Sequence, residues 1–250
     1  MHRAAKRRTS NLNFTDSSSP LKEKEHALIV AGGKGTRFRS SVPKQFLELN
    51  GKPILLHTVE AFFRYSDQIN VIVVLPEEDH DTWRVITEKH RFQIPLTFQA
   101  GGATRFQSVK RGLELIDDGF VAIHDGVRPL VTSEIIESSF RLARIHQSAV
   151  ASVPLKESIR RVDDLSLADG SKSVDRTRFR IIQTPQTFHS AMIRKAYAID
   201  EESSMTDDAS VAEKSGLPIF LFDGSYENIK ITTPEDLAIA EALMRLRSQL

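Results

Sequence analysis

The stretch ALIVAGGKGTRFRSSVPKQ, from Ala27 to Gln45, predicts the start of the fold and a binding loop. It opens with a short apolar run typical of a buried parallel strand, and a glycine-rich turn follows. Because glycine lacks a Cβ, the backbone of this turn can approach a ligand closely. Thr36, Arg37 and Lys44 add a hydroxyl and two positive charges, which suit a triphosphate. The stretch therefore predicts a loop that binds a nucleotide.

The composition is that of an ordinary globular protein. The chain has 250 residues, of which 40% are hydrophobic and 27% are charged, and one domain is the default at this length. No apolar stretch is long enough to span a bilayer, so we expect no membrane partner. The absence of cysteine excludes disulfides, thiolate catalysis and cysteine zinc sites, and fits a cytoplasmic location.

The charge distribution argues against a nucleic-acid partner. Six basic and three acidic residues lie in positions 1–25, while the whole chain carries a net charge of +1. The rest of the chain is therefore slightly acidic, and with three tyrosines and one tryptophan it offers few side chains for stacking on bases.

The first 25 residues lack hydrophobic periodicity and are rich in serine, lysine and arginine. Such a segment cannot bury enough apolar surface to order itself, so we expect a disordered N-terminal extension. An organelle transit peptide is the less favoured alternative, because no amphipathic stripe is evident. Residues 26–250 are expected to form a single domain.

Strands and helices alternate after the extension. A helix is predicted over Ser133–His146. Apolar runs predict strands at His26–Ala31, Ile69–Leu75, Leu96–Gln99, Phe120–His124 and Ala149–Val153. This order predicts an α/β fold, a Rossmann-like and mostly parallel sheet with helices on both faces. Ligands of such folds bind at the carboxyl ends of the strands.

A polar segment interrupts this alternation at residues 155–182. It is too hydrophilic for a central strand, and Ala168–Ser171 favours a turn. We therefore predict a β-hairpin arm that leaves the body of the domain. Because an uncovered arm exposes strand edges, we expect it to form a homodimer.

Two helix starts are predicted near the C-terminus. Thr206-Asp207-Asp208 and Thr233-Pro234-Glu235-Asp236 each combine a threonine cap with acidic residues in the first turn. The last helix places Leu237, Ala240 and Met244 on one face, which we expect to dock on the sheet.

Two common nucleotide loops are excluded at the glycine-rich turn. The sixth position counted from Gly33 is Phe38, so GxGxxG is not formed, and no GxxxxGK[ST] occurs around Lys34. A glycine turn beside two solvated cations is the less specific alternative.

The second motif is GGATRFQS, Gly101–Ser108, placed between a strand and a helix predicted to continue through Ile116. Its glycines leave room for a flat base, and Arg105 and Ser108 can donate hydrogen bonds from one helical turn. Taken alone, two glycines before a helix are more often a simple connection.

The third and fourth motifs supply an acid and further cations. Asp125 ends the strand in FVAIHDGVRP, where a carboxylate can bind Mg²⁺, although an Asp-Gly turn is an equal alternative. Arg128 follows three residues later, and His124 on the opposite face is interpreted as structural. Lys230 lies in the segment ENIKITTPEDL before the last helix.

Together, these motifs and the intervening VPLKESIRRV and QTPQTF resemble the 2-C-methyl-D-erythritol 4-phosphate cytidylyltransferase family from about His26 to the C-terminus. The resemblance implies a nucleotidyltransferase domain that uses CTP, a polyol phosphate and Mg²⁺ or another divalent cation. Ribitol 5-phosphate cytidylyltransferases share much of the pattern, HDGVRP in particular, so they remain the nearest alternative.

The resemblance also implies roles for individual residues, and it places catalytic cations at Arg37, Lys44 and Lys230, with Asp125 as the metal ligand. Nucleotide-binding positions would be Ala31, Gly32, Gly33, Gly35, Gly102, Arg105 and Ser108, and substrate-binding positions would be Arg128, Lys156 and Ser158.

Two positions depart from common family patterns. Lys156-Glu157-Ser158 stands where Arg-Asp-Thr is common, and lysine lacks the planar fork of arginine. Ala103 replaces an acidic residue of some relatives, so one contact to base or ribose is expected to be missing.

The expected reaction needs no general base, because a phosphate monoester is largely a dianion at pH 7. This agrees with a chain in which we find neither a serine–histidine–acid arrangement nor a catalytic carboxylate pair. A catalytically silent nucleotide-binding protein is the alternative from another class. The combined presence of Arg37, Lys44, Asp125 and Lys230 argues against it.

Overall fold

The computed structural model describes residues 23–33, 42–162 and 170–249. Within these ranges the strands are β1 Glu25–Val30, β2 Glu48–Leu49, β3 Lys52–Pro53, β4 Asn70–Leu75, β5 Thr97–Ala100, β6 Phe120–Asp125, β7 Ser148–Pro154, β8 Arg160–Val162, β9 Ser171–Ser173, β10 Arg180–His189 and β11 Leu221–Asp223. The α-helices there are α1 Ile54–Tyr65, α2 His80–Lys89, α3 Arg105–Leu113, α4 Ser133–His146, α5 Ser190–Ala196, α6 Asp208–Lys214 and α7 Pro234–Arg247.

One large sheet organises the domain. In the described residues it has seven strands in the order β11-β7-β10-β6-β1-β4-β5. Each neighbouring pair is parallel except those that include β10, which runs antiparallel to β6 and β7. The predicted α/β fold with a mostly parallel sheet is confirmed, and each of the five predicted strands is present within one or two residues.

Helices cover both faces of the sheet, as predicted. Successive residues of β1 point to opposite faces. Ile29 packs in a core with Phe62 of α1 and Phe140 of α4, whereas Leu28 packs in a second core with Val109 of α3. Both faces of the strand are therefore buried, which explains its continuous apolar run.

Strands β10 and β11 were not predicted. The predicted hydrophilic arm runs to residue 182. In the structure, however, β10 begins at Arg180 and runs between β7 and β6. Its central residues include Gln183, Thr184 and Gln186, which are buried and polar. The prediction was wrong here because these polar groups are satisfied by hydrogen bonds that only the folded chain provides.

A short antiparallel ribbon lies where the arm was predicted. Strands β8 and β9 are exposed, and Val162 pairs with Ser171. Ser171 was placed in the turn, but it begins β9, so the connection lies earlier in the chain. Residues 163–169, and with them the first half of the predicted turn, are outside the described ranges.

Strand β1 begins at Glu25, one residue inside the predicted extension, whose residues 1–22 lie outside the described ranges. Glu25 is buried, and its carboxylate accepts hydrogen bonds from Arg144 and Tyr65. In the described part of the chain, no helix is both long and apolar enough to cross a bilayer.

Three of the helices differ from the prediction in one detail each. Asp207, not Thr206, caps α6, whereas Thr233 caps α7 as predicted. Helix α7 packs in a separate cluster with Leu49 and Ile54 instead of on the large sheet. Helix α3 ends at Leu113 and not at Ile116.

Candidate active site

The carboxyl ends of β1, β4, β5 and β6 meet at one edge of the sheet. Asp125 pairs in register with Val30, and Ala100 pairs with Leu75. The segments that follow these strands therefore start side by side and surround a cavity of about 160 Å³, called here the first cavity.

The first cavity collects most of the predicted site residues. Nine of them line it: Ala31, Gly32, Gly33, Lys44, Gly102, Arg105, Ser108, Asp125 and Lys230. Gly35 and Arg37 belong to residues 34–41, which lie outside the described ranges. The first and fourth motifs are about 190 positions apart in the sequence, so the parallel sheet brings them together.

Lys44 reaches the cavity across the start of the glycine-rich loop. A Cβ atom built on Gly33 would lie 3.2 Å from Cε and 3.3 Å from Nζ of Lys44, so the lysine packs on the bare backbone. The neighbouring Gln45 is buried and donates a hydrogen bond of 2.9 Å from Nε2 to Oδ2 of Asp79. This contact anchors the short 3-10 helix Lys44–Phe46 and so fixes the origin of the Lys44 side chain.

The loop before α3 is held by its own helix. Thr104 caps α3, and the amide of Gly102 donates a hydrogen bond of 3.1 Å to Oγ of Ser108. The Ser108 hydroxyl in turn donates to the carbonyl oxygen of Thr104 at 2.8 Å. In this structure Ser108 therefore shapes the loop wall of the cavity.

We expect Gly102→Ala to destabilise this loop. The added Cβ would lie 2.3 Å from Cβ of Gln107, so the loop must shift, at a cost of about 1–3 kcal/mol. Thermal denaturation should show a melting temperature lower by several degrees. Gly32→Ala is the matched control, because its added Cβ would meet its nearest atoms at 3.9 Å. Equal melting temperatures for the two variants would contradict this prediction.

Asp125 lies at the centre of a cluster of cations. Its Oδ2 is 3.1 Å from Nε of Arg128 and 3.1 Å from Nζ of Lys230. Its Oδ1 lies 3.7 Å from Nε of Arg105, which is longer than a hydrogen bond. Burial alone would raise the pKa of Asp125, but Arg105, Lys230 and Arg128 outweigh it and hold the pKa below its ordinary range.

His124 belongs to the scaffold behind this cluster, as predicted. The Asp125 amide donates to Oγ1 of Thr184, whose hydroxyl lies 3.0 Å from Nδ1 of His124. Nε2 of His124 lies 3.1 Å from the carbonyl oxygen of Arg128. A carbonyl only accepts, so Nε2 carries the proton and Nδ1 accepts from Thr184. Burial lowers the pKa of His124 to about 4.

Acid should therefore weaken the fold through His124. Below about pH 6.5 the unfolded chain binds a proton at this histidine, whereas the folded chain does not until about pH 4. Between pH 7 and pH 5 this residue should remove about 2 kcal/mol of stability. Urea unfolding should show a shallower pH dependence for His124→Gln than for the wild type. Equal dependences for the two proteins would contradict the assignment.

A second cavity of about 270 Å³ shares a wall with the first. Arg105, Asp125 and Lys230 line both cavities. Residues of β10 and of the segment before α6 line only the second one, among them Thr184, Gln186 and Thr206. Arg128 also faces this second cavity, and its Nη1 donates to the carbonyl oxygen of Asn228 at 2.9 Å.

Two predicted substrate residues lie away from both cavities. Lys156 and Ser158 are exposed at the base of the ribbon, and Nζ of Lys156 lies 3.5 Å from the ring centroid of Tyr226. Within one chain the structure does not bring them to Asp125 or Lys44.

Sequence reasoning missed the partners that position the site. Asp208 forms a two-pronged ion pair with Arg105, and Thr184 supports Asp125 and His124. The acidic start of α6 was a signal for Asp208, but its partner is 103 positions away. Thr184 lies in QTPQTF, which contributed to the family resemblance, but no pattern in the sequence assigned this threonine a role.

The fold and the site define a class of protein. A mostly parallel sheet whose carboxyl edge joins a glycine-rich loop, lysines from distant segments and one buried carboxylate is the arrangement of a nucleotidyltransferase. The family model for 2-C-methyl-D-erythritol 4-phosphate cytidylyltransferase matches residues 25–246. The chain belongs to this family, known as IspD, which confirms the resemblance inferred from the motifs.

Individual relatives agree with this assignment. The 2-C-methyl-D-erythritol 4-phosphate cytidylyltransferase of Bacteroides thetaiotaomicron is 46% identical over 222 residues, covering 88% of this chain and all of that protein. Its counterpart in Bacteroides fragilis is 45% identical and covers 87% and 98% of the two chains. The crystal structure of the Thermus thermophilus enzyme has a TM-score of 0.72 at 31% identity, over 89% of this chain and 99% of that one.

Proposed function

We propose that the protein transfers CMP from CTP to 2-C-methyl-D-erythritol 4-phosphate and releases pyrophosphate, a step in isoprenoid precursor synthesis by the non-mevalonate pathway. The observation that carries the proposal is that Lys44, Asp125 and Lys230 open onto one cavity. Membership of the IspD family supports the same reaction.

In the proposed reaction a phosphate oxygen of the acceptor attacks the α-phosphorus of CTP. A new P–O bond forms, and the bond from the α-phosphorus to the bridging oxygen of pyrophosphate breaks. The acceptor phosphate is already mostly a dianion at pH 7, so no proton has to be removed. His124 could not act as the base, because it is buried and both of its ring nitrogens are engaged.

The acceptor phosphate and the triphosphate of CTP are both anions and repel each other. Cations that are fixed in advance reduce this electrostatic repulsion. We assign Lys44, together with Arg37, to the charge that develops on the phosphates of CTP. Lys230 is assigned to the incoming phosphate, because it lines both cavities. The backbone of Ala31, Gly32 and Gly33 borders the first cavity and is proposed to bind the triphosphate.

Asp125 fits a divalent cation that arrives with the nucleotide. Among the described residues no group of three acids or histidines forms a preformed metal site. Mg²⁺ commonly binds through one or two carboxylates and substrate phosphates. Oδ1 of Asp125 accepts no hydrogen bond from Arg105, whose Nε lies at ion-pair distance, 3.7 Å away. Asp125 would hold the cation, and the cation would neutralise charge on the phosphates.

The second cavity is proposed as the site of the polyol phosphate. Arg128 supplies a buried guanidinium there, and the hydroxyls of Thr184 and Thr206 border the same space. Lys156 and Ser158 would join it only from a partner subunit, which supports the proposal of a homodimer through the ribbon. The cytoplasmic location and the absence of a nucleic-acid partner stay predictions.

A side-by-side assay tests the proposal. Pyrophosphate release from CTP is measured with 2-C-methyl-D-erythritol 4-phosphate and with ribitol 5-phosphate as acceptors. We expect the larger kcat/KM with the first. A preference for ribitol 5-phosphate would contradict the proposed substrate, and no release with either would favour a silent nucleotide-binding protein.

A further inference from the structure

Arg105 lies between the carboxylates of Asp208 and Asp125, and of these two it forms hydrogen bonds with Asp208 alone. Its Nη1 donates to Oδ1 of Asp208 at 2.8 Å, and its Nη2 donates to Oδ2 at 2.7 Å. Its Nε faces Oδ1 of Asp125 at 3.7 Å. Both terminal nitrogens therefore point away from Asp125, because a two-pronged pair fixes the plane of the guanidinium.

Asp208 is itself held firmly. It is fully buried at the first position of α6, and the hydroxyl of Tyr197 donates to its Oδ1 at 2.6 Å. The preceding Asp207 caps the helix, accepting from the amide of Ser210 at 2.9 Å. The carboxylate of Asp208 thus has one orientation, and it imposes one on Arg105.

The two carboxylate oxygens of Asp125 differ in their partners. Oδ2 lies 3.1 Å from a nitrogen of Arg128 and 3.1 Å from the ammonium of Lys230. A movement of Arg105 by about 0.8 Å would bring its Nε to ordinary hydrogen-bond distance from Oδ1. Such a movement would occupy both oxygens of the carboxylate with cationic donors.

We propose that Asp208 is a positioning residue that holds Arg105 off Asp125 and so keeps Oδ1 of Asp125 available to a divalent cation bound with CTP. This inference rests on the proposed function. Asp208 lines neither cavity, and it acts through Arg105. Removing its charge leaves Asp125 as the acid next to Arg105, so the guanidinium should turn toward Oδ1.

The test compares CTP binding with and without magnesium. The dissociation constant for CTP is measured by calorimetry in Mg²⁺ and in EDTA, for the wild type and for Asp208→Asn. We expect Mg²⁺ to tighten CTP binding in the wild type, and this gain should shrink by on the order of tenfold in the variant. An unchanged gain in the variant, or no gain in the wild type, would overturn the proposal.

Two further variants separate charge from packing. Tyr197→Phe removes a hydrogen bond from the same carboxylate but keeps its charge and its pair with Arg105. It should keep the wild-type gain, and a loss equal to that of Asp208→Asn would overturn the proposal. The double variant Asp208→Asn/Arg105→Gln leaves no guanidinium to move and should recover most of the gain.

The double variant also covers failure of Asp208→Asn to fold, because it leaves no unpaired buried charge. If it alone folds, a lost magnesium gain overturns the proposal. A crystal structure of Asp208→Asn would show the position of Arg105 directly. Arg105 within 3.2 Å of Oδ1 of Asp125 supports the proposal, and Arg105 in its present place overturns it.

The outcomes for the two proposals are distinguishable. Pyrophosphate release by the wild type tests the proposed function without reference to Asp208. Release with an unchanged magnesium gain in Asp208→Asn would remove the positioning role alone. No release with either acceptor, combined with a reduced gain in the variant, would remove the proposed reaction and keep the positioning role.

Discussion

Lys44→Ala should lower kcat by on the order of 10²-fold or more, the usual effect of losing one preorganised charge contact in a transition state. The ammonium of Lys44 is held against Gly33 at the wall of the first cavity, so it is in place before the phosphates arrive. Because the charge on the phosphates grows as the bonds change, kcat should fall more than the KM for CTP rises.

Steady-state kinetics of pyrophosphate release checks this expectation. Lys89→Ala is a matched control, since Lys89 is an exposed lysine paired with Glu48 and lines neither cavity. The control should retain wild-type kcat and KM. Near-normal turnover in Lys44→Ala would remove Lys44 from the catalytic set.

Asp125→Asn should damage both turnover and stability. The change removes the negative charge shared by Arg105, Arg128 and Lys230, and these cations then repel one another in a partly buried space. Removing one partner of a buried ion pair costs about 3–5 kcal/mol. Turnover should fall by on the order of 10²-fold, because the proposed metal ligand is lost as well.

Urea unfolding and pyrophosphate release measure the two effects separately. Asp67→Asn is the control, because it makes the same chemical change on an exposed residue. The wild-type carboxylate should stay ionised in mild acid, because the pKa of Asp125 is held low. Its stabilising contribution should therefore be lost only below the ordinary value of 3.8. Wild-type stability and turnover in Asp125→Asn would contradict its central position.

The sequence was sufficient to predict strands and site residues where buried positions carry apolar side chains. Strands β1 and β6 are buried on both faces, so their apolar runs were readable, and Asp125 stood out because it ends such a run. Lys44 and Lys230 were identified by motif, and the parallel sheet brings them to one cavity.

Sequence reasoning failed where polar residues are buried. Strand β10 is stabilised by long-range hydrogen bonds, such as that from Nε2 of Gln186 to Asp207, which no local pattern reveals. The pair of Arg105 and Asp208 is hidden for the same reason, and Arg105 alone appeared to be a base-contacting residue. The packing of α7 could not be foreseen, because the segment it covers has little regular structure of its own.

The antiparallel course of β10 also bears on how this protein tolerates evolutionary change. Arg180 pairs directly with Pro154, so the chain leaves β7 and re-enters the sheet at adjacent positions. The segment between these two residues starts and ends at paired positions of the sheet. Insertions or deletions within it therefore leave the strand pairing unchanged. The segment from 155 to 179 can therefore diverge to suit a new neighbour while the register that aligns Asp125 with Val30 is inherited unchanged.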